Sequence, residues 1–434
     1  MPSYTPQSSS PTYYPQKRDF NTLLDAARPF LREQLELVDP ALPSLITVLR
    51  SVGAGECFHK HGSFLSHLTD VYRILKLWCA PDPVARCGLL HSAYSNSYVN
   101  LAIFDAGTSR DYVRSLVGAP AERLIHLFCI VPRQSLIVDN LIFRYSDAEL
   151  VEHLALSEAS LREAKENGVF DSSAPWRRKL QSLLPAGGIT VKHIKTGEDL
   201  AVSRRMVAIF LLMTVADFSD QFFDYQDKIF ANDDGRFEFK GNDWTVLWPG
   251  TGKPGLWMNF NSKTGALYTL IVREEEIYME ERERVGGGGG GGGDRDEEIE
   301  LVVPPVFDNC TRVLDAQEQI VARDLYWEAV CGDWEKEGKW ERVEELLLGS
   351  CEKNPFVGEP HLVLAQVYLN LERNEEAERE AERGLRLIIE WGSSWDKRMT
   401  WEGWVAWGRV MLAKAKEKAW PHAAWGIINL GLVR

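Results

Sequence analysis

The sequence lacks several features that would narrow its function at once. Its seven cysteines are odd in number and form no CxxC pair, which is the pattern of reduced, buried cysteines in an intracellular protein rather than of a disulfide framework. No apolar run reaches about 18 residues without a charge, so no membrane-spanning helix is predicted. The N-terminal stretch also lacks the apolar middle of a secretory signal.

Positive charge is scarce as well. The chain has 63 acidic and 49 basic residues, a formal net charge of −14, and no local cluster of Lys and Arg. Such a surface repels phosphate backbones, so binding to nucleic acid by counterion release is not expected. Together with the cysteine pattern, this predicts a cytoplasmic protein with neither a nucleic-acid nor a membrane partner. The Ser-, Pro- and Tyr-rich residues 1–18 predict a disordered tail, with an organelle transit peptide as the alternative.

The chain of 434 residues is long enough for two or three domains, and its patterning predicts a mainly α fold. Residues 19–232 have apolar residues at helical spacing, and the run from Met206 to Val215 is apolar nearly all round, which predicts a helix buried on every side. Residues 233–285 contain the runs "RFEFKG", "WTVLWPG", "GLWMNF" and "ALYTLIVREEE", which predict a small β-rich appendage of one or two hairpins. Glycines and acidic residues at 286–300 predict a flexible linker.

Residues 301–434 contain an internal repeat. The stretches "CGDWEKEGKWERVEELLLGSCEKNP" and "AQVYLNLERNEEAEREAERGL" align with a period of about 34 residues, which places Cys331 opposite Ala365 and Trp334 opposite Tyr368. This spacing, with small or apolar residues at these places, resembles the tetratricopeptide repeat, an antiparallel helix pair that stacks on its neighbours. The resemblance implies a helical hairpin module that binds a protein or peptide partner.

Three polar residues interrupt the apolar faces of helices that are otherwise buried. His67 shares a helix face with Phe64, and His91, in "GLLHSAYSNS", shares one with Cys87. Asp217 lies in "TVADFSDQ", late in the most apolar helix. A carboxylate placed there needs a partner, because an isolated buried charge costs several kcal/mol. The three groups therefore predict one convergent site, and the alternative is that the histidines are core residues bonded to backbone carbonyls.

The order of these residues resembles the HD superfamily of metal-dependent phosphohydrolases. Its pattern is a His in an "xHLxxVxxIL" helix, then "GLLHD", and a final Asp in an "ADxxDQ"-like context, to which His67, His91 and Asp217 correspond. The stretch "FLSHLTDVYRILKLWCAPDPVARCGLLHSAY" is similar, more closely still, to an uncharacterised family of HD-like domains. The resemblance covers roughly residues 45–225. It implies an HD-like helical bundle that holds a divalent metal (Mn, Fe or Zn) through these three residues.

The sequence departs from the HD pattern at its acidic positions. Ser92 stands where the family has its defining Asp, and a neutral hydroxyl is a poor ligand for a divalent cation. In the stringent-response hydrolases of this superfamily, acidic residues just after the HD pair do general acid/base work. The matching positions here are Ser95 and Asn96, neither of which can take that role. The sequence therefore names no catalytic residue.

Further candidate groups lie near these motifs. The stretch "CFHKH" places His59 and His61 in the loop before the His67 helix, where either could reach the site, and we predict His61 as a fourth metal ligand. Asp70 and Asp105 are carboxylates nearby in sequence without an assigned role.

Two main hypotheses follow. In the first, the chain is an HD-type metallohydrolase that acts on a small phosphorylated metabolite or nucleotide. In the second, the site is inactive, and the chain is an HD-like and tetratricopeptide-like scaffold whose residues 301–434 bind a protein partner. Because some HD relatives with an extra histidine are two-iron oxygenases, a non-haem iron oxygenase is a third, outside hypothesis.

Overall fold

The computed structural model of the chain is mainly helical, with small two-stranded sheets, as the sequence predicts at this coarse level. The structure describes residues 12–13, 19–59, 62–98, 101–105, 107, 109–234, 236, 238–239, 241, 251–284, 296–307, 313–332, 334 and 338–433.

The first set of helices surrounds a central buried helix. These helices are α1 (Phe20–Leu31), α2 (Leu42–Ser51), α3 (Phe64–Leu77), α4 (Asp82–Leu89), α5 (Arg110–Val117), α6 (Ala119–Ile130), α7 (Asp147–Asn167), α8 (Pro175–Leu183), α9 (Arg204–Ser219), α10 (Asp224–Ile229) and α11 (Met258–Arg284). Every residue of α9 is buried, in agreement with the prediction from its apolar run. Helices α3, α4 and α11 pack around it.

Short strands lie between the helices, in four two-stranded sheets within the described residues. The strands are β1 (Thr12–Tyr13), β2 (Phe58–His59), β3 (Gly62–Ser63), β4 (Ile189–Lys192), β5 (Asp199–Val202), β6 (Phe230–Ala231), β7 (Glu238–Phe239) and β8 (Leu301–Val302). β1 pairs with β8 in parallel, and the other three pairs are antiparallel. The β2–β3 pair leads directly into α3, whose N-cap Ser63 accepts a hydrogen bond from Ser66 N at 3.1 Å.

In the second set of helices, those between Ala316 and Glu417 pack against their neighbours in chain order. The set consists of α12 (Ala316–Cys331), α13 (Trp340–Lys353), α14 (Glu359–Asn370), α15 (Asn374–Trp391), α16 (Trp401–Glu417) and α17 (Ala424–Ile428). The small residues of the repeat lie where these helices approach each other closely. A side chain at Gly384 of α15, for example, would meet Leu362 of α14 at 2.7 Å.

The predicted β-rich appendage at 233–285 is wrong for most of its length. The second half of "GLWMNF" and all of "ALYTLIVREEE" belong to α11, a helix of 27 residues that is largely buried over its first five turns. Consecutive apolar residues are typical both of a buried strand and of a helix surrounded by protein, so periodicity could not separate the two. Only the hairpin of β6 and β7 agrees with the prediction, and "WTVLWPG" lies outside the described residues.

The predicted linker and N-terminal tail are also wrong in part. Asp296, in the acidic half of the linker, is buried and accepts a hydrogen bond from Ser203 Oγ at 2.5 Å. Ile299 O accepts one from Arg205 Nη1 at 2.9 Å. Composition showed the polarity of this stretch but not the partners that hold it. Thr12–Tyr13 of the tail form β1, while the rest of the tail and the glycine tract lie outside the described residues.

The two sets of helices share one hydrophobic cluster. α15 packs against α1 and α3. Trp78 Nε1, on the first set, donates a hydrogen bond to Glu390 O at 2.8 Å, and Arg73 Nε donates one to Gly392 O at 3.1 Å. Residues 392–400, which we call the α15–α16 connector, therefore lie against α3.

A buried carboxyl group holds the connector in place. Glu359 Oε1, at the start of α14, accepts hydrogen bonds from Trp395 N at 2.6 Å and Asp396 N at 3.2 Å. Burial raises the pKa of Glu359 from 4.5 to about 7, with a further contribution from the Asp396 charge. The folded chain therefore binds this proton more tightly than the unfolded chain does, so stability falls as pH rises from about 4.5 to 7.

A Glu359→Gln variant is expected to lose this part of the pH dependence. The amide keeps the acceptor oxygen but does not ionise, so the stability of the variant relative to the parent should increase between pH 5 and pH 8. Urea unfolding at both pH values measures the difference, with Glu375→Gln at the start of α15 as the control. Parallel pH profiles for the variant and the parent would contradict the assignment.

No single helix among the described residues is long and apolar enough to cross a bilayer. The bent pair formed by Ala119–Ile130 and Gln134–Arg144 reaches that length and hydrophobicity only when its two parts are taken together.

Candidate metal centre

The structure brings His67, His91 and Asp217 together from three separate segments. His67 lies on α3, His91 in the turn that follows α4, and Asp217 near the end of α9. One possible ligand atom from each residue lies within 4.8 Å of the other two, and all three residues are buried. The convergence predicted from sequence therefore exists in space.

Each of the two imidazole rings is oriented by an oxygen atom that lies within hydrogen-bond distance of its Nδ1. His67 Nδ1 lies 2.8 Å from Asp220 Oδ2, and His91 Nδ1 lies 2.8 Å from Gly88 O. A carbonyl oxygen only accepts hydrogen bonds, so Nδ1 of His91 has the proton and Nε2 presents its lone pair. Metal-ligating histidines usually have this arrangement, in which the second nitrogen donates to a carboxylate or a backbone carbonyl.

The protonation of His91 suits a ligand. Burial lowers the pKa of His91 to about 4, and the Asp217 charge only partly offsets this effect. The imidazole is therefore neutral at neutral pH, which is the form that binds a metal. Its ring meets the His67 ring edge-on, with the centroids 5.2 Å apart.

Asp217 is held by a neighbour on the same stretch of chain. Gln221 Nε2 donates a hydrogen bond to Asp217 Oδ1 at 2.6 Å, and His67 Nε2 lies 3.2 Å from the same oxygen. The guanidinium of Arg133 is also close, with Nη1 3.9 Å from Asp217 Oδ2. The carboxylate thus faces both imidazoles and one buried cation.

The three donors fit a divalent cation. Metal–ligand bonds of about 2.0–2.2 Å in a tetrahedral site place two donors roughly 3.3–3.6 Å apart. Donors of the triad that lie up to 4.8 Å apart would therefore move together by about an ångström when a cation binds. Two neutral imidazoles and one carboxylate are suitable ligands for Mn, Fe or Zn. We call these three residues the His–His–Asp triad.

The residues at the positions where the HD pattern has acids are neutral here, and two of them are joined by a hydrogen bond. Asn96 Nδ2 donates to Ser92 Oγ at 2.8 Å, and Asn96 Oδ1 accepts from Tyr98 N at 2.9 Å. Ser92, Ser95 and Asn96 are all buried. These side chains stabilise the turn after His91 and supply no negative charge, as the sequence indicates.

The other candidates have different places. The His59 ring lies beside His67, with the centroids 4.4 Å apart, whereas His61, the predicted fourth ligand, lies outside the described residues. Asp70 is not in the triad: its Oδ1 accepts from Arg73 Nη1 at 2.6 Å, and burial raises its pKa to about 6. Asp105 is exposed and accepts from the backbone of its own turn, so it has no place in the site either.

A cavity of about 1000 Å³ lies on the other side of Asp220. It is bounded by α1, α2 and α3 and by the α15–α16 connector. Lys397, on the connector, donates to Ser393 Oγ at 2.8 Å and lies 3.8 Å from Asp220 Oδ1. Because Asp220 also contacts His67, a ligand in this cavity would be one side chain away from the triad.

Comparison with known proteins yields one match. Residues 48–133 match the model of a family described as a domain of unknown function (DUF6817). The matched segment includes His67, His91 and Arg133, and it ends before Asp217. No curated protein and no solved structure matches the chain.

Sequence reasoning missed three groups around the triad. Asp220 and Gln221 follow Asp217 in the quoted "ADFSDQ", and the three- and four-residue steps of a helix could have placed them beside it. Arg133 ends the run "FCIVPR" beyond α6, and no periodic signal marks it. Its position beside Asp217 follows only from the fold.

Proposed function

We propose that the chain is an HD-type, metal-dependent phosphohydrolase that acts on a small phosphorylated metabolite or nucleotide. One observation supports this most: the His–His–Asp triad converges in a buried place, with each histidine oriented through Nδ1. In this proposal, the helices around α9 form the HD-like bundle and α12–α16 form the tetratricopeptide-like module. The match at 48–133 is compatible with it and names no activity.

The roles of the residues follow from their contacts. His67 Nε2, His91 Nε2 and the Asp217 carboxylate would hold the cation, while Asp220 orients His67. The chemistry that a divalent cation supplies in such a site is polarisation of a phosphoryl oxygen and a lower pKa for bound water. Ser92 cannot add a fourth ligand that is anionic, so Asp217 would be the one negative ligand in the triad, and less of the metal charge would be neutralised than in the family pattern.

The proposal is tested on the full chain. We expect purified protein to contain about one Mn, Fe or Zn ion per chain and to release phosphate from at least one nucleotide or sugar phosphate. Chelation should stop this release, and the added metal should restore it. Protein that binds no metal after each ion has been supplied would refute the proposal.

Two other functions have some support. A ligand set of two histidines and one carboxylate also occurs in non-haem iron oxygenases, and oxygen uptake by the iron-loaded chain would favour that hypothesis. The neutral Ser92–Asn96 pair favours an inactive scaffold whose residues 301–434 bind a protein partner. Part of that region, however, is already occupied, because α15 and the connector pack on α1 and α3.

A further inference from the structure

Arg133 is a buried cation at the edge of the triad that the proposed function has not yet used. It follows α6 with only 1% of its surface exposed, and its Nη1 lies 3.9 Å from Asp217 Oδ2. That distance is too long for a hydrogen bond and short enough for a strong electrostatic attraction.

Two aromatic rings hold the guanidinium in place. Its central carbon lies 4.0 Å from the centroid of the Phe128 ring and 4.6 Å from that of the Tyr98 ring. The face of a guanidinium stacks on such rings, whereas its N–H donors point outward in its own plane. The Tyr98 hydroxyl in turn donates to Gln134 Oε1 at 3.2 Å. The orientation of the donors is therefore fixed before any ligand binds.

Two of these donors have no acceptor within the described part of the chain. Arg133 Nε and Nη1 are buried and donate no hydrogen bond there. Burial lowers the pKa of Arg133, and the nearby Cys129 thiol is neutral because burial raises its pKa to about 11. The Cys87 thiol is neutral as well, because burial raises its pKa well above the usual value. Among the described residues, Asp217 is thus the carboxylate that acts most strongly on Arg133, and it already accepts from Gln221.

We infer that Arg133 is the anion-binding residue of this site and takes the phosphoryl group of the substrate through its guanidinium group, with Nη1, which lies 3.9 Å from Asp217 Oδ2, as one of the donors. The inference rests on the proposed function and names the part of the chain that recognises the phosphate. A planar guanidinium fork matches two oxygens of one phosphoryl group, and hydrogen bonds between two charged groups are the strong ones. The donors lie next to the triad, where the phosphoryl group must be for the proposed reaction.

The charges around the site agree with a dianionic ligand. Asp217 and Asp220 are balanced by Arg133 and by Lys397, which lies 3.8 Å from Asp220. Asp70, which also acts on Asp220, is paired with Arg73. Metal-bound histidines are neutral, so a divalent cation would leave an excess of two positive charges. A phosphate monoester has about that much negative charge at neutral pH. Burying it there would neutralise the site, whereas a carboxylate ligand would leave one positive charge uncompensated.

The test compares the binding of inorganic phosphate by the Mn²⁺-loaded full chain and by two variants. Arg133→Gln should weaken phosphate binding about 10- to 100-fold, because it removes charge-assisted hydrogen bonds, and change the Mn²⁺ affinity less than about 3-fold. The phosphate affinity of Arg133→Lys should lie between those of the parent and of Arg133→Gln, since lysine keeps the charge but lacks the two parallel donors of the guanidinium group. Arg144→Gln, which removes the same charge from an exposed position, is the matched control. Calorimetry and the broadening of the phosphate phosphorus NMR signal by Mn²⁺ give the readouts.

The outcomes separate this inference from the function on which it rests. A chain that binds Mn²⁺ and binds phosphate equally well with and without the Arg133 side chain overturns the inference and leaves the metal site standing. A chain that binds no metal overturns both. Wild-type protein that binds Mn²⁺ but prefers acetate to phosphate also refutes the inference, whether or not the variants fold.

Discussion

A His91→Ala variant is expected to bind Mn²⁺ more than about 100-fold more weakly than the parent chain. His91 supplies one of the three donors that lie within 4.8 Å of one another, and its removal leaves one histidine in the triad. The loss of an outer group that merely orients a ligand already lowers metal affinity 10- to 100-fold, so the loss of a ligand should exceed this. Titration of the metal-free protein with Mn²⁺ measures the change.

His153→Ala is the matched control for this variant. His153 is also buried, but it lies on α7 and packs edge-on against Tyr145, with the ring centroids 5.7 Å apart. Both substitutions remove one imidazole from the interior, so both should lower stability, and only His91→Ala should lower metal affinity. Equal affinities in the two variants would contradict the triad as a metal centre.

A Glu274→Ala variant is expected to lower the free energy of unfolding by about 3–5 kcal/mol. Glu274, on α11, is fully buried and accepts from Arg177 Nε at 2.7 Å and from Gln181 Nε2 at 2.6 Å. Arg204 Nη1 lies 3.6 Å from Glu274 Oε1. Truncation would leave the buried positive charges of Arg177 and Arg204 with less negative charge beside them. This costs much more free energy than the loss of an exposed ion pair.

Glu280→Ala on the same helix is the comparison. Glu280 bonds Arg284 at 2.8 Å across one turn, near the exposed end of α11. Pairs of this kind contribute about 0.3–0.5 kcal/mol. Urea unfolding of both variants should therefore show a difference of several kcal/mol, and similar losses would mean that the buried network contributes little.

The parts of the fold that could be predicted from sequence are those with a local signal. The run of apolar residues from Met206 to Val215 would cover every side of a helix, and it identified α9 as buried. Helical spacing placed His67, His91 and Asp217 on inward-facing sides of their helices. The same signal failed for α11, because a helix surrounded by protein and a buried strand have the same composition. Length could have decided between them only for the second run, since residues 266–284 contain no Gly, Pro or Asn and are too many for one strand, whereas Asn261, Ser262 and Gly265 interrupt the pattern before them.

The remaining features depend on contacts between distant parts of the chain. Lys397 and Asp220 meet across the two sets of helices. Asp220 lies in the quoted "ADFSDQ", but nothing in the sequence around Lys397 marks it as the partner of that carboxylate. Arg133 is a single polar residue after an apolar run, a pattern that fits an ordinary helix end equally well. A site residue of this kind becomes recognisable only when its unsatisfied donors can be counted in three dimensions.

The hydrogen bond from Trp78 to Glu390 joins residues 312 positions apart. A ribosome that adds about 5–20 residues per second needs roughly 15–60 seconds to make the intervening chain. Throughout that interval, the apolar surface of α3 that later receives α15 has nothing to cover it. This surface of the nascent chain is therefore exposed to aggregation until α15 has been made, and the two sets of helices can pack only after that point.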